Sequence, residues 1–236
     1  MRHFPHVPFR GVETEKPEPD NIMSDPKKPQ DPNIVVLKGV RLSYESIYKP
    51  RTNKGDDGNN KESFSANFIL RKDDPQVKII KQAIKRVVSG MDKWKGKTVK
   101  VKGTNEVLQQ GDSGTVVLSG ICFRDGEDLD GKDGYGPDVM FIRSSAKADR
   151  KPKVVNRKRV DVGPGTSESP YSGCYVNASV RLWPMDNDFG KRVCAELRAV
   201  MFDKDGEAFG AGPVDADKEF AGLGDEDDLS PSDDDI

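Results

Sequence analysis

Between Arg143 and Arg159, in RSSAKADRKPKVVNRKR, eight of seventeen residues are Lys or Arg and Asp149 is the single acid. Arg143, Lys147, Arg150, Lys151, Lys153, Arg157, Lys158 and Arg159 are the residue types a polyanion site needs, because each neutralised phosphate releases condensed counterions. A run of this kind also serves as an ordinary solvated face. Its meaning depends on where the acids lie. Residues 215–236 carry ten acids against Lys218 alone, a net −9, while the rest of the chain, with 37 bases and 30 acids, carries +7. The formal net charge of −2 therefore hides a basic body with an acidic end.

A second pattern supplies rings. In CYVNASVRLW, 174–183, strand alternation puts Cys174, Val176, Ala178, Val180 and Leu182 on one face, and Tyr175, Asn177, Ser179, Arg181 and Trp183 on the other. The first face is a core. The second mixes aromatic, amide, hydroxyl and cation, a surface suited to stacking bases and holding phosphates, or one that packs beneath a second protein layer. Tyr171 precedes the same stretch, and Tyr48 with Lys49 and Arg51, close to Tyr44, forms another aromatic and basic cluster. Phe141 alternates with Arg143 and reads as core.

The elements that must position these residues are mostly strands. NIVVLKGVRLSY (33–44) reads as a strand with a bulge at Gly39, RTNKGDDGNNKE (51–62) as a loop, and SFSANFIL as a half-buried strand with Phe64, Ala66, Phe68 and Leu70 inward. Asp74 and Pro75 open one helix, about 75–89, that Gly90 ends, with Val77, Ile80, Ile84, Val87 and Val88 as its apolar stripe. Its Lys78, Lys81, Lys85 and Arg86 read as a solvated face. KTVKVKG, GTVVLSGICF, DVMFIRSS, CYVNASVRLW and VCAELRAVMF follow as strands, and DKDGEAFG as a hairpin turn. This order predicts a mainly β fold, an OB-like β-barrel with insertions and one main helix, with an open sandwich as the alternative. The folded domain spans 33–212, between a flexible Pro-rich leader at 1–32 and a disordered acidic tail at 213–236; Met23 is an alternative start.

Other classes find little support. No apolar run reaches the 18 or so residues of a membrane span, and the first 23 residues do not form a secretion signal, so a reducing cytoplasm is expected. Cys122, Cys174 and Cys194 lack metal-ligand spacing and read as small core residues, and no cofactor is called for. His3 and His6, the two histidines, both lie in the leader, which leaves no Ser, His and Asp constellation. The carboxylates of DGEDLDGKDGYG (Asp125, Glu127, Asp128, Asp130 and Asp133) point to a Mg²⁺-dependent nuclease as an alternative, but they crowd one Gly-rich turn and miss the EF-hand pattern at Leu129.

Several separated stretches, VRLSYESIYKPR, SANFILRKDDP, FIRSSAKADRKPKVV, YSGCYVNASVRLWPMD and FDKDGEAFG, occur in an order that resembles a family of tailed-bacteriophage single-stranded DNA-binding proteins. The resemblance runs from Ile34 to Gly210 and is most distinctive at YSGCYVN. It implies an OB-related barrel that coats single strands during phage replication and recombination, and no enzymatic activity. On that reading Arg143, Lys147, Arg150, Lys151, Lys153, Arg157, Lys158, Arg159, Arg181, Lys49 and Arg51 hold phosphates, and Tyr175, Trp183, Tyr171 and Tyr48 stack on bases.

The tail then gains a role. Asp225, Glu226, Asp227 and Asp228, then Asp233, Asp234 and Asp235 before Ile236, resemble the acidic end of cellular single-stranded DNA-binding proteins, without its closing Pro and Phe. The expectation is electrostatic competition for the DNA groove, recruitment of replication or recombination proteins, or both. A single-strand annealing protein would need the same groove and is the closer alternative. Self-association on DNA fits either reading, and a membrane fits neither.

Overall fold

The computed structural model describes residues 31–55 and 58–210. Of the expected leader at 1–32 all but Asp31 and Pro32, and the whole of the expected acidic tail at 213–236, lie outside the described residues.

Strand β1, Ile34–Lys54, is 21 residues long and serves two neighbours. Its first part pairs antiparallel with β10, Tyr175–Asn187, and its second with β2, Asn60–Arg71. β2 pairs with β8, Val139–Lys147, and β10 with β11, Gly190–Lys204. A parallel contact of β8 with β11, at Ser145 and Glu196, closes a five-strand barrel in the order β1, β2, β8, β11, β10. This is the OB-like barrel expected from the sequence, closed rather than an open sandwich.

Closure demands curvature, and β1 supplies it at two irregularities. Between Leu37 and Val40 the register shifts at Gly39, whose φ of 59° suits a residue without Cβ and whose N–H donates to Asn177 Oδ1 at 3.1 Å. The second shift lies between Ser43 and Ser46, where Tyr44 adopts φ 48°. An aromatic residue there is uncommon, and holding it costs about 1–3 kcal/mol.

Helix α1, Pro75–Ser89, is capped by Asp74, whose carboxylate accepts from the Gln76 N–H at 2.8 Å. Ala83 joins the five expected apolar residues in burying its inner side, which packs against β1, β10 and β11. Beyond the helix, β3 (Thr98–Val101), β4 (Val107–Gln109) and β5 (Thr115–Leu118) form a separate three-stranded sheet. GTVVLSGICF is therefore not one strand. Its chain breaks after β5 into β6, Gly120–Ile121, which pairs with β11, and β7, Phe123–Asp125, which pairs with β8.

Two other expectations are corrected. The loop assigned to 51–62 is a hairpin, because Arg51 to Lys54 extend the existing ladder onto Asn60 to Ser63 despite their turn-like composition. DKDGEAFG is not a hairpin turn, since no strand follows it among the described residues; its last part docks on the barrel instead. Cys122 and Cys174 are buried core thiols, both pushed up by burial, whereas Cys194 is partly exposed. No helix among the described residues is long and apolar enough to cross a membrane.

Fully buried Trp94 ties the two sheets, its indole N–H donating to Asp186 Oδ2 at 2.7 Å. Trp94→Phe keeps an aromatic ring and leaves the partly buried Asp186 carboxylate with Lys191, at 3.8 Å, in place of the indole donor. The expected cost is about 1–3 kcal/mol, read as a lower urea midpoint at unchanged slope. An unchanged midpoint would mean that apolar packing alone holds the small sheet.

Candidate nucleic-acid interface

The alternation that turns Phe64, Ala66, Phe68 and Leu70 into the barrel puts Ser63, Ser65, Asn67 and Ile69 on the other face of β2, where the two serines are half-buried and Asn67 and Ile69 are covered. The strand registers set these beside residues of β1 and β8 in rows: Arg41, Ile69, Phe141; Ser43, Asn67, Arg143; Ser46, Ser65, Ser145; Arg51, Ser63, Lys147. Small hydroxylated side chains thus floor a shallow track. Arg143, Lys147 and Arg51 stand exposed along it, with no carboxylate partner among the described residues. In OB barrels, the strand 2 and 3 face is where oligonucleotides and oligosaccharides bind.

Rings close one end of the track. The chain from 126 to 138 folds over the strands and lays Tyr135 edge-on against Phe141, 5.2 Å between centroids, and 6.0 Å from Tyr44. The Tyr135 hydroxyl accepts from Asn67 Nδ2 at 3.0 Å, and its phenol is pushed up chiefly by burial. Tyr44 is 45% exposed. Its unusual φ is thus linked to a ring presented at the surface.

Three acids at or in this covering segment are committed elsewhere. Asp125 caps the short 3-10 turn Gly126–Leu129 and pairs with Lys72 at 2.8 Å, Asp128 pairs with Arg124 at 2.8 Å, and Asp133 accepts from the Gly210 N–H at 2.7 Å. Among the described residues, no group of three His, Cys, Asp or Glu is arranged to hold a metal ion.

Residues 205–210 lock the covering segment down. Phe209 fills a notch at Gly134, where a Cβ would come within 2.3 Å of its ring. The Arg41 guanidinium lies over Phe209 at 4.3 Å and donates to the carbonyls of Gly173 at 3.2 Å and Glu207 at 2.8 Å. Gly173, at φ 100°, meets the Glu207 carbonyl where its own Cβ would stand. The Tyr171 hydroxyl lies 2.9 Å from the Gly206 carbonyl and accepts from the Gly206 N–H at 3.2 Å. The YSGC and DKDGEAFG stretches are therefore two halves of one joint.

The sequence-predicted residues separate into groups. Arg143, Lys147 and Arg51 share the track, and Lys49 is exposed near its β1 border. Past β8 the basic run turns aside into β9, Lys153–Val155, which pairs in parallel with β11. There Arg150 pairs with Glu196 at 3.0 Å, Lys153 with Asp161 at 2.8 Å and Arg157 with Glu168, and Arg181 reaches Glu196 at 3.3 Å. Lys151, Lys158 and Arg159 are exposed without a carboxylate partner among the described residues.

The predicted rings scatter further. Tyr48 is half-buried, its hydroxyl donating to the Pro170 carbonyl at 3.2 Å, and burial pushes its phenol up to about 12. Tyr171 is engaged in the joint. Tyr175 carries Lys204 4.7 Å from its ring centroid and Arg41 at 5.7 Å. Trp183 is 37% exposed but sits eight residues further along β10, roughly 26 Å away. Strand parity put both rings outward correctly; it did not put them together. Tyr135, flanked by glycines in an acidic stretch, offered no periodicity from which its place could be read.

A closed five-strand barrel with a cationic, serine-floored, ring-ended face is an oligonucleotide-binding architecture. A family model described as Enterobacter phage Enc34, ssDNA-binding protein, matches residues 33–230. The chain belongs to that family. Protein p50 of Acyrthosiphon pisum secondary endosymbiont phage 1 is 33% identical over 192 residues, 80% of this chain and 93% of that protein. The single-stranded DNA-binding protein from bacteriophage Enc34 in complex with ssDNA is similar at TM-score 0.56 and 25% identity, covering 75% of this chain and 90% of that one. A second solved structure of the single-stranded DNA-binding protein from bacteriophage Enc34 aligns at TM-score 0.55 and 24% identity, over 80% of this chain and 90% of that one.

Gly134→Ala tests the joint. The new Cβ collides with Phe209 at a φ of 80°, so Phe209 leaves its notch. Amide hydrogen exchange at Phe209 and Gly210 is expected to rise at least tenfold while β2 and β8 keep their protection; unchanged exchange would show that Arg41 alone holds the segment.

Proposed function

We propose that this protein coats single-stranded DNA without sequence preference during phage replication and recombination, acting by stoichiometric binding in the host cytoplasm rather than by chemistry. The observation that carries this reading is the track on β1, β2 and β8, where exposed Arg51, Arg143 and Lys147 line a serine floor ending at Tyr44 and Tyr135. The Enc34 protein, solved with ssDNA, supports it.

Cations hold the phosphates, the hydroxyls of Ser63, Ser65 and Ser145 supply adaptable hydrogen bonds, and Tyr44 and Tyr135 offer ring faces that any base can stack on. Paired bases cannot present their faces in this way, which favours single strands over duplex. The ion-paired Arg150, Lys153, Arg157 and Arg181 form a second tier. Of these pairs Lys153 with Asp161 is exposed at both ends, where an ion pair is worth little and a phosphate can replace the carboxylate at small cost. Tyr175 and Trp183 extend stacking along β10, while Tyr48 and Tyr171 spend their hydroxyls on Pro170 and Gly206.

The folded unit is 33–212, and the acidic tail competes for the same cations. Gly210 is held at the ring end of the track. The 26 residues that follow it have a maximum reach of roughly 90 Å, so Asp225–Asp228 and Asp233–Asp235 act as a tethered polyanion at high effective concentration. Displaced by DNA, the same tail is free to recruit replication or recombination proteins.

The test is fluorescence anisotropy of a labelled 30-mer single strand and its duplex, at several salt concentrations. It compares the full chain, a truncation after Pro213, and the Arg143→Ala and Tyr44→Ala variants. Single-strand preference is expected, strengthened by truncation. Arg143→Ala lowers the log–log salt slope by about 0.7, and Tyr44→Ala costs about 1–3 kcal/mol. Equally weak binding of both DNA forms overturns the reading.

A further inference from the structure

The small sheet of β3, β4 and β5 does not lie flat on the barrel. Trp94 ties it to Asp186, and Ser119 donates from its N–H to the Lys191 carbonyl at 2.7 Å. Between these ties and α1 opens a cleft of about 1050 Å³. Its floor is apolar, from Ile84, Val101, Leu108, Phe123 and Val193, and its rim carries Lys81, Lys102, Arg124, Arg143 and Arg192. Three acids also line it, but Asp125 is paired with Lys72 and Asp128 with Arg124, leaving Glu106. Gly103 and Gly120 have nothing within 4 Å of where a Cβ would stand, so the chain there leaves the cleft open.

Two residues belong to both places. Arg143 and Ser145 project from β8 onto the track and also line the cleft. At the other end, Lys81 stands on the exposed side of α1 with Lys78 and Lys85 and borders a shallower depression there. A cationic path therefore runs from Lys147 through Arg143 and the cleft to the helix, over an apolar floor against which base faces can pack.

We infer that single-stranded DNA bound on the β1, β2 and β8 track continues past Arg143 into this cleft, with its phosphates on Lys102 and Lys81. This rests on the proposed DNA-binding role. The helix lysines, which the sequence presents as a solvated face, become the far end of the binding path. The cleft is occupied only by strands long enough to leave the track, so its contribution depends on length.

The experiment compares a labelled hexamer, at the low end of the roughly 4–16 nucleotides an OB barrel covers, with a 30-mer. Both are titrated against the full chain and a Lys81→Glu, Lys102→Glu double variant. Both substituted positions are exposed, and matching urea midpoints check that the fold is intact. Hexamer affinity is expected to stay within twofold, while 30-mer affinity falls at least tenfold and its salt slope drops by about 1.4, two phosphate contacts' worth. Unchanged 30-mer affinity and slope, in a protein that binds both oligonucleotides, overturn the cleft path and leave the track standing. Equal losses for hexamer and 30-mer overturn it as well, placing the effect in the general field. Failure of the unsubstituted chain to bind either oligonucleotide overturns the DNA-binding role and the cleft path together.

Discussion

Five strands close into a barrel only where the ladder bends sharply, and β1 does most of the bending here. Gly39 absorbs one bend without cost to a side chain. Tyr44 absorbs the other in a conformation that disfavours any residue with a Cβ. A glycine there would satisfy the backbone better and leave the surface bare. The strain is the counterpart of an aromatic ring raised out of the sheet, next to Tyr135 and at the end of a cationic track. Curvature and an exposed aromatic ring are thus one feature of β1.

The docked C-terminal segment carries the same economy further. Arg41 sits in a row of the track yet spends its guanidinium on Phe209, Gly173 and Glu207. That cation is removed from phosphate binding, but it anchors Phe209, which holds Gly134 and so the strip bearing Tyr135. The acidic stretch 125–133 follows the same logic. Asp125, Asp128 and Asp133 hold a turn, a lysine, an arginine and an amide, fixing the position of a ring that no barrel strand carries.

Much of this was legible in the sequence wherever a short period governs structure. The helix from Pro75 announced itself through Asp74, Pro75, Gly90 and a 3.6-residue stripe, and the faces of β2 and β10 through alternation. β9 was not legible, because Lys153–Val155 is three residues inside a charge run and pairs with β11 some 46 positions later, a contact no local pattern encodes. The same distance hid the pairing of Arg150 with Glu196. Tyr44 and Tyr48 are alike in composition and context. Only the bulge decides that one ring faces solvent while the other goes under Pro170.

The arrangement of charge then explains why a basic run alone is a poor map of a binding face. Cations on a strand whose neighbours are serines have no acid within reach, so Arg143 and Lys147 stay open along β8. Once the chain leaves the sheet, loop carboxylates and Glu196 of β11 come within reach, and Arg150, Lys153 and Arg157 pair with them. Sequence density peaks at 157–159, yet the open cations that share rows with a hydroxylated floor lie at 143, 147 and 51. The sheet registers, more than the count of lysines and arginines, decide which positive charges are available to a polyanion.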